Sequence, residues 1–153
     1  MEILTNMPSA RSTTPTGTGV QWEGKGQSYY GNAALENESS RILYLFIRFN
    51  LKQNISLEEA LSVFGDPLYV HPDACAHGRC EVYVIYPESG LALMTTSIST
   101  HDDTVMIDRS SEVQGIKFFI PGIDNYLKLV PSLGYEVRKW EGYGTYPEVP
   151  LWR

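Results

Sequence analysis

Ser56-Leu-Glu-Glu-Ala-Leu-Ser-Val-Phe-Gly-Asp-Pro67 contains a whole short helix, with both its start and its stop encoded. Ser56 is placed to cap the helix: its hydroxyl accepts from the Glu59 N–H, and the Glu59 carboxylate returns to the Ser56 N–H, a capping box. Leu57, Ala60, Leu61 and Phe64 then recur at helical spacing, so one face is apolar. Glu58 and Glu59 put negative charge at the positive end of the helix dipole. Gly65 supplies a left-handed stop and Pro67 prevents resumption, which limits the element to about eight residues. A helix this short is unstable alone, so Leu57, Leu61 and Phe64 are expected in a core, against a sheet.

Downstream, the residues turn strand-like. Leu68-Tyr-Val70 reads as a short strand. Val82-Tyr-Val-Ile-Tyr86 alternates, with Val82, Val84 and Tyr86 on one face and Tyr83 and Ile85 on the other. Pro87-Glu-Ser-Gly90 is a turn, and Leu91 to Ile98 returns to complete an antiparallel hairpin. Val113 to Ile120 is a further strand, Ile123 to Val130 a short helix broken at Pro131, and the tail from Gly134 is aromatic without clear period. Upstream, Ala33 to Leu51 fits a helical face through Leu35, Ile42, Leu45, Phe46 and Phe49, although Arg41 to Ile47 also suits a buried strand; helix is favoured on length. The fold class expected is α+β, with short helices packed on one face of a three- to four-stranded antiparallel sheet.

The chain has 153 residues, enough for one domain. Residues 1–31, rich in Thr, Ser, Pro and Gly, read as a flexible tether, and residues 32–153 as a single α+β domain. A net charge of −6 with scattered basic residues argues against nucleic acid or an anionic membrane as the main partner. No apolar run is long enough to span a bilayer, so a membrane enters only through an anchor upstream of residue 1. No phosphate loop, nucleophile elbow or paired catalytic carboxylate signature occurs, so neither a cofactor nor an enzymatic reaction is expected.

The capped helix, Phe64-Gly65-Asp66-Pro67, the short strand and the hairpin turning at Tyr86-Pro-Glu-Ser-Gly-Leu91 together resemble the SmpA/OmlA (BamE-like) family, over about residues 54–98. The resemblance implies helices on one face of a small antiparallel sheet. It also implies a non-enzymatic, lipoprotein-like envelope protein that binds another protein in an extracytoplasmic setting, periplasmic or at the cell surface. The lipid-attached cysteine of that family has no counterpart near the N-terminus here. A native start at Met1 would instead make the protein cytoplasmic.

Both cysteines and two of the three histidines fall within His71-Pro-Asp-Ala-Cys-Ala-His-Gly-Arg-Cys80. A Cys75–Cys80 disulfide is favoured, because the short spacing closes around Gly78 and the family setting is oxidising. The alternatives are a metal-binding or redox-responsive loop with His71, Cys75, His77 and Cys80 as ligands, two free thiols, or a small hydrolase built on a cysteine–histidine pair or on the His101 loop. His101, Asp102, Asp103 and Asp108 also have cation-ligating chemistry, but read better as a solvated loop. In the tail, Tyr135, Trp140, Tyr143 and Tyr146, with Trp152, are either core or a binding surface for a protein partner.

Overall fold

The helix forms where the sequence places it, as α1 (Leu57–Phe64). Ser56 Oγ accepts from Glu59 N–H at 3.2 Å and the Ser56 N–H donates to the Glu59 carboxylate at 2.8 Å. The remaining first-turn donors are met from elsewhere in the chain, Leu57 N–H by Ser111 O at 2.7 Å and Glu58 N–H by Arg109 O at 3.0 Å. The computed structural model describes residues 11–14, 17–23, 29–36, 41–49, 55–100, 104–130 and 137–147.

What α1 packs on is larger than the sequence suggests. Instead of short helices on one face of three or four strands, the described residues form one antiparallel sheet of twelve strands, ten of them four residues or longer, with two short helices. In chain order the strands are β1 (Arg11–Thr14), β2 (Gly17–Glu23), β3 (Tyr29–Leu35), β4 (Ile42–Phe49), β5 (Ile55–Ser56), β6 (Tyr69–Ala76), β7 (Arg79–Tyr86), β8 (Leu91–Thr100), β9 (Thr104–Ile107), β10 (Glu112–Phe119), β11 (Arg138–Lys139) and β12 (Gly144–Pro147). The second helix is α2 (Ile123–Leu127). The sheet runs β1-β2-β3-β4-β10-β8-β7-β6-β11. Two edges are shared: β8 borders β10 through Leu91–Thr95 and β9 through Ile98–Thr100, while β10 borders both β4 and β5. β12 pairs with β9.

The helix expected between Ala33 and Leu51 is instead β4 with the end of β3. Ile42-Leu-Tyr-Leu-Phe-Ile-Arg-Phe49 is apolar on both faces, so period alone does not distinguish strand from helix there; its β-branched and aromatic residues suit a strand flanked by β3 and β10. Within residues 1–31 the described segments are β1, β2 and the start of β3, joined by backbone pairing such as Val20 with Ala33. Thr and Gly supply ladder hydrogen bonds without the apolar alternation that marks a strand in sequence.

The β7–β8 hairpin is buried on both faces. On face one, Val82, Val84, Leu91 and Leu93 meet Leu57, Ala60 and Leu61 of α1, with Val105 and Ile107 of β9 and Tyr146 of β12. On face two, Tyr83, Ile85, Ala92 and Met94 pack with Phe46, Phe119 and Tyr126 of α2. The two helices therefore lie on opposite faces. Phe64, expected in the core, is 47% exposed at the end of α1, its ring 6.0 Å from that of Tyr86. No helix among the described residues is long and apolar enough to cross a membrane.

The hairpin turn is locked to the next strand. Phe119 N–H donates to Gly90 O at 2.8 Å and Gly122 N–H to Pro87 O at 2.8 Å. Gly90 has φ +64, and a Cβ there would stand 2.2 Å from the Phe119 carbonyl oxygen. Gly65, at φ +78, has nothing within 4 Å of such a Cβ. In urea melts, Gly65→Ala should therefore cost only the backbone penalty of a side chain at φ 78, ψ −175, about 1 to 3 kcal/mol. Gly90→Ala should cost about 3 kcal/mol or more, because clash adds to that penalty.

Candidate functional site

The cysteine-bearing segment is a β-hairpin rather than a free loop. β6 and β7 meet at a two-residue turn, His77 (φ 53) and Gly78 (φ 75), closed by the Ala76–Arg79 pair. Positive φ at both central residues is the type I′ pattern, which suits the twist of a hairpin. One pair further in, Cys75 and Cys80 face each other with Cα atoms 3.9 Å apart and form a disulfide. Both are buried in the face-one core. In the chain-entropy model so small a loop contributes about 2 kcal/mol.

This geometry separates the four residues considered as metal ligands. The two sulfurs are bonded to each other, His77 is exposed on the turn, and His71 is buried on face two, opposite the disulfide. Neither sulfur is a thiolate available to a metal or as a nucleophile. Among the described residues no group of three or more His, Cys, Asp and Glu is arranged to hold a metal ion. His101, Asp102 and Asp103 lie outside the described residues, as do Tyr135 and Trp152.

Two other groupings carry more chemistry. The first is an aromatic and apolar patch at the end of α1. Trp140 N–H donates to Leu68 O at 3.0 Å, which seats Trp140 beside the α1–β6 connection. Trp140 stacks on Tyr146 at 6.1 Å and meets Tyr143 edge-on at 5.6 Å. Tyr146 belongs to the core: it is 6% exposed, and its hydroxyl donates to Gly142 O at 2.6 Å and accepts from Glu141 N–H at 2.9 Å. Trp140 and Tyr143 are only partly buried. At the end of α1 and in the connection that Trp140 meets, Val63, Phe64 and Leu68 are 77%, 47% and 52% exposed. Acidic groups rim the patch. Burial pushes the Tyr86 phenol up to about 12, with Asp66 and Tyr143 adding to the effect. The Tyr143 phenol is also raised, first by burial and then by Glu58, with Asp66 adding and Arg109 opposing. Arg109 lies over the Tyr143 ring at 4.9 Å and pairs with Glu58 at 2.7 Å.

The second grouping is on face two, where sequence reasoning singled out only His71. Lys117 of β10 stands between Phe46 of β4 and Ala92 of β8 in the sheet register. Its Nζ is 4.2 Å from the centre of the Tyr83 ring and 5.8 Å from that of Tyr126. Burial pulls its pKa down, against the opposing pull of Asp73 and Glu81. Burial pushes the Asp73 carboxyl up, while Lys117 opposes and Glu81 adds. Arg48 holds Glu81 at 3.0 Å and Gln114 at 3.1 Å, and Thr96 donates to the same Gln114 oxygen at 2.9 Å. The sequence did carry one signal for this cluster: Lys117 interrupts an apolar strand two residues before the buried Phe119.

His71 completes the cluster. Its Nδ1 is 2.9 Å from the Tyr126 hydroxyl, and its ring lies against Tyr83. Burial, with Lys117 second, holds its pKa down to about 4 from 6.5.

No family model, curated protein or solved structure matches this chain.

The depressed His71 pKa fixes a pH dependence. Between pH 6.5 and about 4 the unfolded chain binds a proton at His71 that the folded protein refuses, so stability falls as pH falls through that window. The full contribution is about 3 kcal/mol. His71→Gln, which keeps a side-chain partner for Tyr126, should remove this slope. Urea melts of both proteins from pH 7 to pH 4 check it, and parallel curves would contradict the assignment.

Proposed function

We propose that the protein is a non-enzymatic interaction module of an extracytoplasmic compartment, and that the patch at the end of α1 receives another protein. The carrying observation is the exposure of Phe64 and Leu68 at the end of α1, with Leu68 bonded through its backbone to the partly buried Trp140. Exposed aliphatic and aromatic groups clustered next to a Trp–Tyr pair have the composition of an interface centre, where aromatic anchors contribute most of the affinity. Asp66 at the rim, with Glu58 already paired to Arg109, favours a partner segment that carries a Lys or Arg beside an apolar anchor. The compartment is supported by the disulfide, since such bonds persist where the surroundings are oxidising.

The test is cross-linking capture from an envelope extract of the source cell, comparing the natural protein with Phe64→Ser/Leu68→Ser. Both side chains are about half exposed, so the variant should stay folded at a cost of about 2 kcal/mol, read from a parallel melt. Proteins captured by the natural chain and lost with the variant are the expected result. Capture of the same proteins at the same yield by both, or of none by either, contradicts the proposal.

A further inference from the structure

One flank of the sheet is left apolar and open on face one. In register, Leu91 of β8 pairs with Phe118 of β10, Phe118 with Leu45 of β4, and Leu45 with Ala33 of β3. In the neighbouring row Leu93 pairs with Ile116, and Ile116 with Ile47. Residues paired across strands share a face, and Leu91 and Leu93 belong to the face-one core, so all of these lie on face one. None is charged, yet the face-one core includes no residue of β3 or β4. Phe118 is 43% exposed, and Leu45 and Ile47 are only partly buried. Of the two described helices, α1 packs on the β7–β8 hairpin and α2 lies on face two.

The size of the flank limits what can cover it. Three strands about 4.8 Å apart and about eight residues long, at about 3.3 Å per residue, span about 14 by 26 Å, or about 370 Å². A stable interface takes about 800 Å² from each partner, so a second copy seated here falls well short. A short apolar segment is in proportion, and the chain carries one at the right place. Arg11 pairs with Val20 and Val20 with Ala33, so β1 begins on the same cross-strand row as Ala33, Leu45 and Phe118. Residues 1–10, Met-Glu-Ile-Leu-Thr-Asn-Met-Pro-Ser-Ala, lie outside the described residues and lead into that point. From Arg11, Leu45 is three strand spacings away, about 14 Å, and Phe118 four, about 19 Å. Leu4 stands seven residues before Arg11, so extended chain carries it as far as about 23 Å. Ile3, Leu4 and Met7 are apolar, and Glu2 is the one charged side chain of the segment.

We propose that residues 1–10 form a displaceable cover for this flank, seating Ile3, Leu4 and Met7 on Leu45, Ile47 and Phe118. The flank is separate from the Phe64–Leu68 patch at the end of α1, so loss of either reading leaves the other standing.

A nitroxide attached to the full chain through Asn6→Cys reads the contact, because Cys75 and Cys80 are bonded to each other and the new thiol is the one cysteine left to label. The methyl signals of Leu45, Ile47 and Ile116 should be lost to paramagnetic broadening, while that of Leu127, in α2 on the other side of the sheet, should remain. Leu4→Asp/Met7→Asp in the labelled chain should restore the lost signals. The same pair of substitutions without the label should raise binding of the apolar dye ANS several-fold, with an unchanged melt, since both precede β1 and leave the core sequence intact. Broadening of Leu127 to the same degree as Leu45, or of neither, overturns the proposal, as does broadening that persists in the Asp variant; unchanged dye binding overturns the role as a cover. Mixing isotope-labelled chains that lack the nitroxide with unlabelled chains that carry it separates the sources. Loss of the Leu45 and Ile47 signals in that mixture would assign the cover to a second copy and overturn the intramolecular one.

Discussion

The β7–β8 hairpin is apolar on both faces, and the rest of the described structure answers that constraint. Val82, Val84, Leu91 and Leu93 need cover on one side, and Tyr83, Ile85, Ala92 and Met94 on the other. A single layer of helices satisfies only one side. The chain therefore sends α1 and the β9–β12 pair to face one and α2 to face two, and extends the sheet outward through β10, β4 and β3 on one flank and β6 on the other. The disulfide closes the β6–β7 turn from within the face-one core.

The two faces then differ in chemistry. The core of face one is mostly apolar, and the buried Thr95 and Tyr146 hydroxyls bond the Glu112 and Gly142 carbonyls. Its surplus apolar surface emerges at the end of α1, where Phe64 and Leu68 run past the edge of the core. Face two mixes aromatic rings with ionisable groups. There Tyr83 touches Lys117 through its ring and stacks on His71, so one buried side chain links two basic groups that burial pushes toward their neutral forms.

Local signals survived the step from sequence to structure and non-local ones did not. The Ser56–Glu59 capping box, the Gly65 stop and the 82–98 hairpin are decided within a few residues, and each forms as read. The Cys75–Cys80 bond is equally local, set by a turn of two residues. β4 was misread because Ile42 to Phe49 is apolar on both faces, and only its neighbours β3 and β10, remote in sequence, make it a strand. Phe64 fits the helical stripe of Leu57 and Leu61 yet lies beyond the edge of the sheet they pack on, a distance no periodicity encodes. The Lys117 cluster is legible in sequence only as a lysine within an apolar strand, for the same reason. Arg48, Asp73, Glu81 and Lys117 come from four strands, and only the assembled sheet, with the β6 bulge that carries Asp73, relates them.

Native-state hydrogen exchange tests the dependence of the structure on the doubly covered hairpin most directly. The backbone amides of Val82–Ile85 and Ala92–Met94 should exchange only through global unfolding, with the highest protection in the chain and denaturant slopes equal to that of the whole protein. If the amides of β3 and β4 remained protected while those of the hairpin exchanged through smaller openings, the hairpin would not be the element on which the rest is built.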